Sequence, residues 1–110
     1  MATIDDFAAL DIRVGTIKEA EFFEEAKIPA IKLKIDFGPG IGLKSSSAQI
    51  TKRYKVEEMV GKQVIGIVNF PPRRIAGFNS EVLILGGVPA KGDVVLLKPD
   101  INIPNGTPIA

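Results

Sequence analysis

The sequence contains no histidine and no cysteine. That removes the imidazole base, the thiol nucleophile and any zinc site built from nitrogen and sulfur ligands. Catalysis would have to rest on Asp, Glu, Lys, Ser, Thr and the single tyrosine, Tyr54. A hydrolase or transferase is therefore the weakest reading, and neither cofactor nor metal is expected. Without cysteine there is no disulfide scaffold, which fits a reducing cytoplasm. No apolar run approaches the roughly 18 to 20 residues that span a bilayer. The opening "MATIDDFAAL" carries acids where a signal peptide has a basic region. These absences point to a cytoplasmic, non-enzymatic protein without membrane insertion. Its 110 residues, 45% hydrophobic and 25% charged, suit one globular domain over 1–110.

Large net charge is also missing, since the total is +1, but the charge is unevenly spread. Residues 1–40 hold five basic and eight acidic side chains, and residues 41–80 hold seven basic and two acidic. The middle third is where an anionic partner would bind.

Thr3 and Asp6 form a T-x-x-D capping box, after which Ile4, Phe7 and Ala8 share one helical face. A helix of about two turns is too short to stand alone, so it must dock on something. In "IRVGTIKEAEFF", Ile12 and Val14 alternate with Arg13, and Ile17 falls out of step after Gly15, which suggests a bulge there. "AIKLKIDF" points Ile31, Leu33, Ile35 and Phe37 one way and Lys32, Lys34 and Asp36 the other, as a half-buried antiparallel strand does. "LKSSSAQI" reads as a short strand running into a helical turn near 51–54, and "KVEEMVGK" as a loop or single helical turn. "VIGIVNF" (64–70), "EVLILGG" (81–87) and "DVVLLKP" (93–99) do not alternate, so they should be buried on both faces. So small a chain has little to cover an outer face, which points to the N-terminal helix, the tail or a second subunit. Prolines 104 and 108 keep the tail from being a central strand. About five short strands with Gly and Pro turns describe an all-β domain: a five-stranded OB-type barrel or an SH3-like one.

Three stretches bear on function. "GPGIGLKSS" lacks the Gly-Lys pair of a phosphate-binding loop, because Leu43 intervenes, so it reads as a turn. "SSSAQITKRYK" gathers hydroxyls, Gln49 and basic residues near Tyr54. Such a set can bind phosphates and stack a base, or form a solvated polar face over a core tyrosine. "NFPPRRIAGF" (69–78) places two arginines after two prolines that fix φ and supply no donors. It reads as a stiff extended segment, too long for a turn. It is either a structural crossover with its arginines paired to acids or a binding surface. Three adjacent acidic pairs read as caps and loop charges.

"LDIRVGTIKEAE", "GKQVIGIVNFPPRRIAGFNSEVLILGG" and "PNGTPI" together resemble the tRNA-binding domain family appended to bacterial methionyl-tRNA synthetases. "SSAQITKRY" with "NFPPRRIAGF" most resembles its stand-alone CsaA-type branch, described as export-related chaperones. The resemblance covers essentially the whole chain. It implies an OB-fold, a homodimer assembled partly through terminal segments, and binding of unfolded secretory preproteins, with the export machinery as a further partner. The stiff apolar and basic 69–78 segment then supplies the expected peptide contacts: Phe70, Pro71, Pro72, Arg73, Arg74, Ile75 and Phe78. The alternative is a tRNA-binding protein using Lys44, Ser45, Ser46, Lys52, Arg53, Lys55, Arg73 and Arg74. Synthetase-type domains typically carry Ser-x-Gly-Met where this chain has Ser80-Glu81-Val82-Leu83. That puts an acid where RNA would approach and turns the expectation toward peptide.

Overall fold

The alternation at 31–37 folds as read. β2 (Ile31–Asp36) buries Ile31, Leu33 and Ile35 and leaves Lys32, Lys34 and Asp36 half-exposed. The computed structural model describes residues 1–110. Around β2 stands a five-stranded antiparallel sheet in the order β3-β2-β1-β4-β7, with β1 at Ile12–Phe22, β3 at Leu43–Ala48, β4 at Gln63–Ile67 and β7 at Leu83–Ile84. β1 is shared: its first half pairs with β4 through Ile12↔Ile67 to Thr16↔Gln63, and its second half pairs with β2. The sheet curls until its edges meet, where the amides of Glu81 and Val82 donate to the Ser45 carbonyl of β3 at 2.8 and 3.3 Å. The result is a nearly closed five-stranded barrel of OB type.

The register of β1 slips between Ile17 and Glu19, so the bulge lies at Lys18 and not at Gly15. Gly15 answers a different constraint. A Cβ there would lie 2.6 Å from Ile35 Cγ2 and 2.8 Å from the Phe37 ring, so the barrel's largest core side chain fills the space. Ile17 is out of step with Ile12 and Val14 because β1 serves two cores. Ile17 joins Leu33, Ile35, Phe37, Met59 and Val64 inside the barrel. Ile12 and Val14 pack on the outer face with Ile65 and Ile67 under Leu10, Leu85, Ile103 and Ile109.

The tail is therefore part of the fold. Gly106 N–H donates to Val14 O (2.7 Å), Val14 N–H to Thr107 O (3.0 Å) and Ile109 N–H to Ile12 O (2.9 Å). The Gln63 side-chain amide reads both backbone groups of Ile103, and Asn105 Oδ1 accepts from the Thr16 hydroxyl. Pro104 and Pro108 are compatible because the tail pairs only through isolated contacts along one edge.

Two expectations change. Residues 64–67 are buried on both faces, but the later apolar runs leave Leu83, Val95 and Leu97 exposed. They fold as β7 and as a hairpin of β8 (Gly86–Ala90) and β9 (Asp93–Leu96) with one uncovered side. The helix α1 (Ile4–Ala8) keeps its capping box, yet buries no residue on this chain. It is tethered through Asn69, whose side chain bonds the Ala9 carbonyl and the Asp11 amide. The 51–54 turn and a 3₁₀ turn at Val56–Glu58 fold as read.

Gly106 tests the tail's role. Its φ is +87° and a Cβ would sit 2.6 Å from the Phe37 carbonyl, which is backbone and cannot yield cheaply. Gly106→Ala should cost about 2 to 4 kcal/mol. Gly40→Ala, in open space, should change stability by less than about 0.5 kcal/mol. Urea unfolding midpoints at constant slope measure both, and equal midpoints would remove the tail from the fold's support.

A candidate ligand groove beside the 73–80 hairpin

Between loop 23–30 and the segment after β4 lies a cavity of about 540 Å³ with a mostly apolar lining. Its floor is Ile50, Leu83, Ile84, Val94 and Leu96, and Ala48 closes one end. One wall is the loop with Ala26, Lys27, Ile28 and Ala30, and the other is Arg73, Ile75 and Ala76. Such a concavity between the loops at the mouth of an OB barrel is where the fold accepts ligands. No group of three or more carboxylates converges to hold a metal ion.

The second wall corrects the reading of "NFPPRRIAGF" as an extended crossover. After the prolines the chain forms a hairpin of β5 (Arg73–Ile75) and β6 (Phe78–Ser80), paired Arg73↔Ser80, Arg74↔Asn79 and Ile75↔Phe78. Its two turn residues, Ala76 and Gly77, both have positive φ, 46° and 82°, as a two-residue hairpin turn with strand-like twist requires. Ala76 is the only non-glycine residue in that region. The hairpin is docked by Phe78, whose ring meets buried Phe23 edge-on at 5.4 Å between centroids. Lys32 Nζ lies 5.2 and 5.5 Å from those two rings while pairing with Glu21 at 2.9 Å. The Glu21 hydrogen bond raises the Lys32 pKa against the opposing pull of desolvation, helped by the charges of Glu21, Glu25 and Glu24.

Of the expected peptide contacts, Arg73 and Ile75 line the groove. Phe78 turns away to dock the hairpin, and Phe70, Pro71 and Pro72 are exposed outside the lining. Arg74 is exposed on the hairpin, and neither arginine forms an ion pair, so the expectation of scaffold arginines paired to acids does not hold. Sequence reasoning missed Ile28, Ala48, Leu83, Val94 and Leu96. Leu83 (47% exposed) and Ile28 (58%) stand out as large apolar residues outside the core only once the fold is known.

The family model described as "Putative tRNA binding domain" matches residues 12–108. The crystal structure of the chaperone CsaA from Bacillus anthracis superimposes with a TM-score of 0.96 at 60% identity, covering 100% of this chain and 99% of that one. The CsaA chaperone protein of Picrophilus torridus gives 0.93 at 54% identity, with complete coverage of both chains. The methionine–tRNA ligase of Flavobacterium johnsoniae is 37% identical over 105 residues, which are 96% of this chain but 14% of that enzyme.

The residues of the RNA alternative are largely engaged within the chain. Ser46 is 1% exposed and its hydroxyl donates to Val82 O. Glu81 does not face a ligand alone: it accepts from the Ser45 amide at 3.0 Å and stands 3.9 Å from Lys44. Lys52 donates to Lys91 O, and Arg53 grips Asp93 through two hydrogen bonds of 2.5 and 2.9 Å. Lys55 is exposed. The Arg53 hydrogen bond holds the Asp93 carboxyl below its ordinary pKa against the desolvation that would raise it. A depressed carboxyl contributes stability above its unfolded pKa of about 3.9, lost as pH falls through the folded value. Denaturation midpoints taken from pH 6 downward should therefore fall less steeply in Asp93→Asn than in the native chain. Parallel acid limbs would show that the pair contributes nothing.

Proposed function

The chain belongs to the tRNA-binding domain family, and from that premise we propose that it is a binding module for extended segments of unfolded polypeptide. The observation that carries this reading is the apolar groove walled by Arg73 and Ile75, with two unpaired arginines on a docked hairpin. An open apolar channel of this size takes side chains of many shapes, and the arginines add carboxylate or carbonyl recognition without fixing one sequence. The likeness to two CsaA chaperones over the whole chain supports the same reading. Secretory preproteins awaiting export are then the client class, in the cytoplasm, with the export machinery as downstream partner. The chemistry is binding alone.

A second reading, binding of tRNA, is favoured by the family match itself. Its cations would be Arg73 and Arg74 together with Lys52 and Lys55. Salt separates the two. About four phosphate contacts to single-stranded RNA give a log–log slope of about −2.8. We expect the groove's affinity for an apolar peptide to be nearly flat between low and moderate salt, and to fall about tenfold or more in Ile75→Asp. A peptide indifferent to Ile75→Asp, or displaced by tRNA with the steep slope, would favour the RNA reading.

The exposed apolar residues of α1 and the β8–β9 hairpin, Ile4, Phe7, Val88, Val95 and Leu97, support a homodimer in which terminal segments cover these faces. Light scattering at micromolar concentration should give twice the 11.8 kDa chain mass. A Val95→Asp, Leu97→Asp variant should give the monomer mass, and a native chain that is already monomeric would remove the homodimer.

A further inference from the structure

The hairpin has one edge that nothing covers. Pairing flanks the two-residue turn with Ile75↔Phe78 and reaches Arg73↔Ser80. In such a ladder the alternate pairs are hydrogen-bonded, so Arg74↔Asn79 is a non-hydrogen-bonded pair and Arg74's amide and carbonyl point outward. β6 lies toward β3, where the Ser47 amide donates to the Ser80 hydroxyl. β5 is therefore the outer strand, and no hydrogen bond from outside the hairpin reaches Arg74. The edge is also short. Pro72 and Pro71 offer no N–H on one side, and Ala76 leaves the strand conformation on the other. The usable frame is about three residues centred on Arg74, flanked on the groove side by Arg73 and Ile75.

Resting on the peptide reading above, we propose that the client is held by its main chain, as a short strand added to β5. Its alternate side chains drop into the groove, and an acidic residue beside them meets Arg73 or Arg74. The occupant is an extended segment of an unfolded protein with apolar residues at every second position and a nearby carboxylate. Charge selects it: the cationic groove residues are Arg73 and Lys27, Arg74 stands beside them, and Glu25 is the one acid in the lining. Strand addition uses backbone groups every client has, which explains sequence tolerance, while side-chain spacing and the carboxylate supply selection. The proline boundary limits the frame, so the edge does not offer the long template that drives sheet-to-sheet aggregation.

The probe is a fluorescein-labelled peptide of about ten residues, alternating leucine and threonine and ending in aspartate, titrated by anisotropy. N-methylation of successive amides should weaken binding about tenfold at alternate positions within the bound frame and leave the intervening positions unaffected. In an Arg73→Ala, Arg74→Ala variant the alternation should persist, while the advantage of the aspartate-ended peptide over a lysine-ended one disappears. If N-methylation is tolerated throughout while Ile75→Asp still abolishes binding, the groove captures side chains alone and strand addition is wrong. If the peptide fails to bind, or binds regardless of Ile75→Asp, the peptide reading falls with it.

Discussion

The hydrogen bond from the Gly106 amide to the Val14 carbonyl marks the constraint on which this fold depends. β1 is 11 residues long and its Ile12–Ile17 half runs between two cores, so the buried backbone there must be bonded on both edges. β4 and β2 each reach only part of it. The gaps are filled by irregular backbone. The tail bonds Ile12 and Val14, and the Gly61–Lys62 turn bonds Ile17. Close approach there excludes side chains: Gly38 faces the Asn105 carbonyl and Gly106 faces that of Phe37, each with room for no Cβ. Arg13 then ties the tail again, donating to Gly106 O while pairing with Asp11.

With β1 satisfied, the barrel can close at its other end, and closure creates the groove. β7 pairs with β4 for only two residues, while the residues just before it bond β3. Ser46, Glu81 and Ser80 form the clasp, each using a side-chain oxygen on the opposing segment's backbone. Past Ser47, where the clasp ends, Ala48 and Ile50 line the cavity together with residues of β7 and β9. The rest of its lining comes from loop 23–30 and from the hairpin that Phe78 anchors to Phe23.

Patterns with one cause were legible in the sequence, and patterns with two were not. The 31–37 alternation, the Thr3–Asp6 cap and the five-strand count each followed from a single local rule. The Gly15 phase slip had two possible causes, a bulge or a change of core. Only the Phe37 ring over Gly15 distinguishes them, and Phe37 is 22 residues away in sequence. The hairpin was hidden because Ala76 occupies a turn position where Asn or Gly would have signalled it. Leu83, Val95 and Leu97 were read as doubly buried because runs of apolar residues do not say what covers them. Of the residues expected to meet a client, Arg73 lines the groove, Arg74 is its neighbour on the hairpin, and Phe78 packs on Phe23.

These placements bear on how one scaffold serves two ligand classes. An RNA surface needs several cations free at once, since phosphate contacts gain affinity by releasing counterions. Here the 44–55 segment, the richest in such residues, has Lys44 beside Glu81 and Arg53 held by Asp93. Glu81 sits in the clasp, and Asp93 sits at the start of β9 in the β8–β9 hairpin. Glu81 thus both closes the barrel and pairs with Lys44, while Asp93 pairs with Arg53 from the separate β8–β9 hairpin. The cations that remain free beside apolar area are Lys27 in the groove lining and Arg73 and Arg74, the last two on a segment with a bare backbone edge. A surface with few free charges, open apolar floor and unpaired main chain matches an extended polypeptide better than a polyanion.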